Sequence, residues 1–245
     1  MLGLGEVYSL ADLIELAHVA EEQFSGQQVW FRGHIQHEWQ LVPTAHRKPV
    51  GLESQFANHF RLRAPSMTTS CPEHKDYVSW LPLMQHYGVP TRLLDWTESL
   101  LVAAFFAIPS ETSTSNAAIW ILAPGELNRS SIGYLIPFLT DERITPVVNA
   151  AFLGKSFSDN QHPVAVLAPR TDQRMAAQLG NYTIHGDLKA LEMHPNAKDF
   201  LRKVVIPAKA QDKIRADLSV SGIRRSSLFP DLSNLAKEIS ELTVF

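Results

Sequence analysis

The sequence contains a single cysteine, Cys71, among its 245 residues. One thiol cannot form a disulfide within the chain or a cysteine-rich zinc site, and such scarcity is typical of proteins from reducing compartments. The N-terminal residues lack the basic start and long apolar run of a signal peptide. The apolar run Leu100 to Ile108 has nine residues, whereas a bilayer span needs about 20. These absences predict a cytoplasmic location and no membrane partner.

An excess of charge of either sign is also lacking, because 22 basic and 25 acidic residues give a formal net charge of −3. This excludes a polybasic, histone-like nucleic-acid binder, although a local basic patch stays open. The sequence contains no P-loop, GxGxxG, HExxH or GxSxG motif. What the chain does have is 45% hydrophobic residues, enough for the core of a globular domain.

The order of patterns along the chain predicts one domain over residues 1–245. Its parts are an N-terminal helix at 9–24, a core at 27–123, a variable insertion at 124–162, and C-terminal strands and helices at 163–245. Helical spacing dominates early, for example at 52–63, and short strands broken by helices follow. This order indicates an α+β fold, with a short mixed sheet packed on helices around one central apolar helix.

The stretch from His86 to Ala107 is the centre of this prediction. A break at Gly88 to Pro90 precedes a turn that carries Arg92 and Asp95. Asp95 or Thr97 is expected to cap the helix at 100–108, which is apolar all round and is therefore predicted to be buried on every side. Arg92 and Asp95 are predicted either to form a buried ion pair or to line an anion site at the helix N-terminus.

Polar side chains stand at the ends of several predicted apolar elements, and we predict that they share one pocket. Arg32 ends a strand at 28–33, and Arg174 and Gln178 lie four residues apart on one face of a helix at 171–179. Guanidinium groups bind phosphate or carboxylate with two hydrogen bonds, so the pocket suits a nucleotide. Arg32, Asp95 and Gln178 are the central candidates for this pocket, and they would be its catalytic residues if the chain is an enzyme. The ligand-binding candidates are His86, Tyr87, Arg92, Thr97 and Arg174.

Three histidines, His34, His37 and His46, have a spacing that metal sites also use. A site needs three or four converging ligands, and no acidic or thiol partner is evident beside them. The sequence therefore predicts no metal site.

The stretch Gln85 to Thr97, QHYGVPTRLLDWT, resembles the signature of the FRG domain. The tripeptide Phe31-Arg32-Gly33 resembles the motif that gives this family its name. Further similarity covers Trp39, Leu41 to Pro43, Arg174, Gln178, Gly180, Thr183, Gly222-Ile223 and Leu228 to Leu232, so the resemblance spans roughly 27 to 235.

A second resemblance, at the level of the fold, is to mono-ADP-ribosyltransferases of the arginine type. It implies NAD as the cofactor, with Arg32 as the arginine that holds the dinucleotide and Asp95-Trp96-Thr97 in place of a Ser-Thr-Ser strand. Gln178 or Glu192 would replace the glutamate of those enzymes, and a glutamine cannot stabilise an oxocarbenium ion as a carboxylate does.

Two other readings of the same residues stay open. In the first, the chain is a binding module without catalysis for a nucleotide, a nucleic acid or a protein partner, and Trp30, Trp39, Trp96 or Tyr87 stacks on a base. In the second, the arginine–aspartate pairs only hold the core together.

Overall fold

The computed structural model describes residues 2–129, 131–154, 162–168 and 173–241. Within these ranges the chain forms eleven α-helices and seven β-strands. The helices are α1 (Leu10–Gln23), α2 (Leu52–Arg63), α3 (Tyr77–His86), α4 (Leu100–Ala107), α5 (Pro124–Arg129), α6 (Thr145–Leu153), α7 (Gln173–Ala177), α8 (Ala197–Phe200), α9 (Ala208–Val220), α10 (Arg225–Leu228) and α11 (Leu232–Glu241). None of these helices is both long enough and apolar enough to cross a bilayer.

The strands form one mixed sheet in the order β1-β7-β4-β2-β3-β6-β5. Their bounds are β1 (Gly3–Glu6), β2 (Trp30–His34), β3 (Leu93–Thr97), β4 (Ala117–Leu122), β5 (Val164–Val166), β6 (Gly180–Ile184) and β7 (Leu201–Ile206). Strands β1 and β7 run parallel, and the other neighbours run antiparallel. The predicted α+β fold with a mixed sheet is therefore confirmed.

Helices pack on the sheet around three apolar clusters, one of which includes residues of α5 and α8. Helices α1, α4 and α9 pack against β2, β4 and β7, with Leu13, Ile119 and Ile214 fully buried between them. Helices α2, α3 and α6 pack against β3, β5 and β6 around Trp80 and Tyr182. The candidate site lies at the junction of β2 and β3.

The turn predicted at residues 91–95 is largely a strand, since β3 begins at Leu93 and pairs with β6 along its whole length. Helix α4 starts at Leu100 as expected, but its cap is Ser99, whose hydroxyl accepts a hydrogen bond from the backbone N–H of Val102. The predicted caps Asp95 and Thr97 are wrong, because both residues belong to β3. Thr97 instead accepts a hydrogen bond from the Ser99 N–H at 3.0 Å.

Helix α4 is apolar all round, but the prediction that it is buried on every side is wrong. Its residues Val102 to Ala104 and Ala107 are buried, whereas the side chain of Phe106 remains 38% exposed. The buried side approaches β2 so closely that a Cβ atom on Gly33 would lie 2.1 Å from the carbonyl oxygen of Ala103. The glycine after Arg32 thus allows helix and strand backbones to touch.

The segment predicted as a variable insertion, 124–162, contains part of the core. Val148, Ala151 and Phe152 of α6 are buried among α2 and α3. The buried amide of Asn128 exchanges hydrogen bonds with the backbone of Ala165 and so ties α5 to β5. Residues 130 and 155–161 of this segment lie outside the described residues, as do Thr171 and Asp172 of the helix predicted at 171–179.

Candidate functional site

The sheet is weakly joined between β2 and β3. The register of these strands contains one residue pair, Phe31 with Thr97, whereas β2 pairs with β4, and β3 with β6, over five residues each. The two strands therefore separate on one side of this pair. A cleft of about 260 Å³ lies at the opening, slightly below the roughly 300–1,000 Å³ that is common for small-molecule sites.

Six of the eight site residues predicted from the sequence line this cleft: Arg32, His86, Asp95, Thr97, Arg174 and Gln178. They come from β2, α3, β3 and α7, and Gln178 directly follows α7. The fold therefore brings together segments that are far apart in the sequence. The prediction that Arg32, Asp95 and Gln178 share a cavity agrees with this geometry. The roles given to them stay predictions.

The guanidinium group of Arg32 is held at the opening by two neighbours. Its Nε donates to Nε2 of His34 at 3.1 Å, and its Nη1 donates to the carbonyl oxygen of Asp95 at 2.7 Å. The Nη1 atom also lies 3.7 Å from the Asp95 carboxylate, and 21% of the Arg32 side chain is exposed. Burial lowers the pKa of Arg32, while Asp95 opposes this shift. An arginine stays charged at all physiological pH values, so the cleft carries a fixed cation.

The side chain of His34 is a neutral imidazole that holds Arg32 in place. Its Nε2 accepts the hydrogen bond from Arg32, so the other nitrogen, Nδ1, carries the proton and lies 3.2 Å from the carbonyl oxygen of Trp39. Burial and the positive charge of Arg32 lower the pKa of His34 from 6.5 to about 3.

We predict that acidification costs stability through His34. Because the folded pKa lies below the unfolded one, the stabilisation is complete above pH 6.5 and is lost as the pH falls from 6.5 towards 3. At pH 5 the loss is about 2 kcal/mol relative to pH 7, since each pKa unit corresponds to about 1.36 kcal/mol. Urea unfolding at both pH values measures it. His34→Gln, which does not titrate, should lose correspondingly less stability, and an equal pH dependence in both proteins would contradict the assignment.

The Asp95 carboxylate faces the cleft with 57% of its side chain exposed. Its Oδ2 accepts a hydrogen bond from the Gln85 amide at 2.8 Å, and the Gln85 amide oxygen in turn accepts one from the Thr91 hydroxyl. Asp95 is the one carboxylate that lines the cleft among the described residues. It is positioned by hydrogen bonds and still open to a ligand.

The opposite wall is built from α7 and the segment before α11. The amide nitrogen of Gln178 donates to the Leu228 carbonyl at 3.0 Å. The Arg174 guanidinium packs over the Phe229 ring, 4.6 Å from its centroid, an arrangement favoured by the ring quadrupole. Phe229 also meets the exposed Phe106 of α4 edge to face. This wall therefore offers a second cation and an aromatic surface.

Thr97 joins the two walls. Its hydroxyl donates to the Gln178 carbonyl at 2.7 Å and is only 6% exposed. This buried, fully used hydroxyl fixes β3 to the end of α7 and leaves little surface for a ligand.

Arg92 lies outside the cleft. The predicted ion pair between Arg92 and Asp95 is wrong, because Arg92 pairs with Glu53 instead. The side chain is 2% exposed, and its Nε and Nη2 bind the carboxylate of Glu53 at 3.0 and 2.6 Å. Its Nη1 donates to the Val147 carbonyl. The sequence prediction missed this pair because Glu53 lies on α2, 39 residues upstream. Arg92 thus joins β3 to α2 and α6.

Two further predicted residues lie away from the cleft. Tyr87 is 64% exposed and packs against Phe60 and His86 outside the lining. Glu192, the alternative to Gln178, accepts hydrogen bonds from the backbone N–H of Leu41. Neither residue faces the space between Arg32 and Asp95.

The cleft also contains residues that sequence patterns did not nominate. Gln85 supplies an amide and Phe106 an exposed ring, whereas the buried amide of Asn181 is bound to Glu98 and to the backbone of Ala168. Gln85 stands in the resemblance motif and was detectable there. The exposure of Phe106 to the cleft could not be detected in this way, since the sequence of an apolar helix does not indicate which aromatic ring faces outward.

The three histidines considered for a metal site have separate partners. His34 binds Arg32, His37 lies 3.2 Å from Glu38, and His46 packs edge to face on His185. A different set, His162, Asp187 and His194, converges beyond the other end of β6. No sequence pattern connects those three residues.

Comparison with known proteins gives one result. Residues 27–116 match the family model of the FRG domain, a range that contains Arg32, Gln85 and Asp95. Neither the search of curated proteins nor the search of solved structures finds a match.

Proposed function

We propose, from the premise that this chain contains an FRG domain, that its cleft binds a ribonucleotide of the NAD class. We further propose that the chain is an enzyme similar to NAD-dependent ADP-ribosyltransferases. The observation that carries the proposal is that Arg32 and Asp95 meet in one open cleft, at the point where β2 and β3 separate. The single cysteine is in keeping with the cytoplasmic location that we also propose.

The chemical groups around the cleft match the three parts of a ribonucleotide. Arg32 and Arg174 are cations that suit a phosphate. The Asp95 carboxylate accepts hydrogen bonds and suits the hydroxyls of a ribose. The ring of Phe106, which is 38% exposed, suits a planar base.

Asp95 is the residue we propose for the chemistry. In ADP-ribosyl transfer the bond between ribose C1′ and the nicotinamide nitrogen breaks, and nicotinamide leaves with the bonding electrons. The positive charge that develops on the ribose is stabilised by a nearby carboxylate. A nucleophile then bonds to C1′ and loses its proton. Gln178 is neutral, so its proposed role is to hold the substrate by hydrogen bonds.

The alternative is a binding module without catalysis, for a nucleotide, a nucleic acid or a protein partner. It is favoured by the engagement of Asp95, whose Oδ2 already accepts a hydrogen bond from Gln85 and lies near Arg32. Two measurements, of binding and of turnover, separate the alternatives.

We predict that Arg32→Ala weakens the binding of ADP-ribose by about 1.5–3 kcal/mol, roughly 10- to 150-fold, because a charged hydrogen-bond donor is lost. Isothermal titration calorimetry of the wild type and the variant measures the change. The matched control is Arg63→Ala, which removes an exposed arginine of α2 that does not line the cleft. Equal affinity in Arg32→Ala and Arg63→Ala, or no binding by the wild type, would contradict the proposal.

Turnover is tested by nicotinamide release from NAD. We predict release by the wild type and a loss of at least about 100-fold in Asp95→Asn, since the isosteric amide cannot stabilise positive charge as a carboxylate does. The affinity for ADP-ribose should change less than it does in Arg32→Ala. Binding of NAD without any release of nicotinamide would support the module without catalysis.

A further inference from the structure

We propose that His162, Asp187 and His194 form a binding site for a divalent transition-metal ion of the zinc class. One ligand atom from each of these residues lies within 4.8 Å of the other two. None of the three residues lines the cleft. The proposal is therefore independent of the nucleotide proposal.

The fold brings the three residues together from separate segments. Strands β5 and β6 pair with Val164 opposite Ile184. Continuing this antiparallel register places residue 162 opposite residue 186, next to Asp187. His194 follows the short 3-10 helix Leu191–Met193 and returns to the same end of the sheet. The cleft borders Gly180 at the opposite end of β6.

Two of the three side chains are buried with polar atoms that need a partner. Asp187 is 1% exposed and His194 is 9% exposed. Among the described residues, neither Oδ2 of Asp187 nor Nε2 of His194 has a hydrogen-bond partner. A buried carboxylate oxygen without a partner is costly, and a bound cation removes this cost. These two atoms lie 3.6 Å apart.

The spacing of the ligand atoms is compatible with one shared metal ion. Bonds of 2.0–2.1 Å at tetrahedral angles place neighbouring ligand atoms about 3.3 Å apart, close to the 3.6 Å between Asp187 and His194. His162 is exposed, and its ligand atom lies within 4.8 Å of the other two, so a change of its side-chain torsion angles would have to bring it to bonding distance. The ring centroids of His162 and His194 are 5.8 Å apart and steeply inclined, so the rings do not stack face to face.

The orientation of Asp187 is fixed by a contact outside the cluster. Its Oδ1 accepts a hydrogen bond from the backbone N–H of Lys189 at 3.1 Å. This contact leaves Oδ2 directed at the histidines, as in sites where an outer hydrogen bond orients a metal ligand.

The donor set indicates the class of metal. Two imidazoles and one carboxylate are typical of zinc and of other late first-row divalent ions, and they suit magnesium or calcium poorly. Three protein ligands leave a fourth position, on the exposed side of His162, for water or a small ligand. The ion would join the start of β5, the end of β6 and the loop around residue 194.

The test is zinc binding by the full chain after treatment with a chelator. Calorimetric titration with Zn²⁺ should show one equivalent bound per chain, and zinc should raise the melting temperature. His162→Gln and His194→Gln should each weaken zinc binding by at least about 100-fold, since loss of an outer-sphere partner alone already costs 10- to 100-fold. His162 is exposed, so His162→Gln is expected to fold even if His194→Gln does not.

The matched control is His18→Gln, which removes an exposed histidine of α1 that lies 3.5 Å from Glu21. It should retain the affinity of the wild type, and so should Arg32→Ala. The proposal is overturned if the wild type does not bind zinc with one-to-one saturation. Equal affinity in the wild type and His162→Gln would overturn it as well.

Discussion

Arg92→Ala is expected to lower the free energy of unfolding by about 3–5 kcal/mol, because it leaves the buried carboxylate of Glu53 without its partner. Arg92 and Glu53 are 2% and 6% exposed, and several of their hydrogen bonds are 3.2 Å or shorter. The pair connects α2 to β3, and Arg92 also binds the Val147 carbonyl of α6. Removing it therefore weakens the contact between three elements.

Urea unfolding followed by far-UV circular dichroism measures this effect. The control is Arg63→Ala, which removes an exposed arginine from α2, the helix that carries Glu53. The double variant Glu53→Ala with Arg92→Ala should lose clearly less than the sum of the two single losses, because it leaves no unpaired charge. An unfolding free energy within about 0.5 kcal/mol of the wild type, combined with lost ADP-ribose binding, would instead support the ligand-binding role that the sequence indicated for Arg92.

Gly33→Ala is expected to be the other strongly destabilising substitution, with a loss of about 3 kcal/mol or more, since overpacking against a rigid neighbour is costly. The added Cβ would lie 2.1 Å from the Ala103 carbonyl oxygen and 2.5 Å from the Ala107 nitrogen. Both are backbone atoms of α4, so the helix as a whole must move away from β2.

The control for this substitution is Gly3→Ala in β1, where a Cβ would meet no atom within 4 Å. We expect Gly3→Ala to change the free energy of unfolding by less than about 0.5 kcal/mol. Similar unfolding free energies of the two variants would show that the packing of α4 against β2 does not require a glycine at position 33. Because Arg32 precedes Gly33, a displaced helix should also weaken ADP-ribose binding.

Local signals in the sequence were sufficient for several elements. The helix at Leu52–Arg63 agrees in its bounds with the prediction from apolar spacing. The convergence of Arg32, Asp95 and Gln178 was also expected, because these residues stand at the ends of predicted apolar elements and in the motifs that resemble the FRG domain. In both cases the information lies in neighbouring residues or in a shared motif.

Features that depend on distant contacts could not be predicted in this way. Residues 91–95 carry Arg92 and Asp95 on either side of two leucines, which looks like a polar turn until β6 is known to pair with residues 93–97. The cleft itself depends on where the pairing of β2 and β3 stops, and no residue of either strand indicates that point. The cluster of His162, Asp187 and His194 depends in the same way on the register of β5 and β6.

The central claim is that Arg32 binds a phosphate-bearing nucleotide at the opening between β2 and β3. A crystal structure of the protein with ADP-ribose tests it most directly. The account predicts a pyrophosphate oxygen within hydrogen-bond distance of the Arg32 guanidinium and a ribose beside Asp95. ADP-ribose bound away from these residues, or a cleft that stays empty at saturating ADP-ribose, would contradict it.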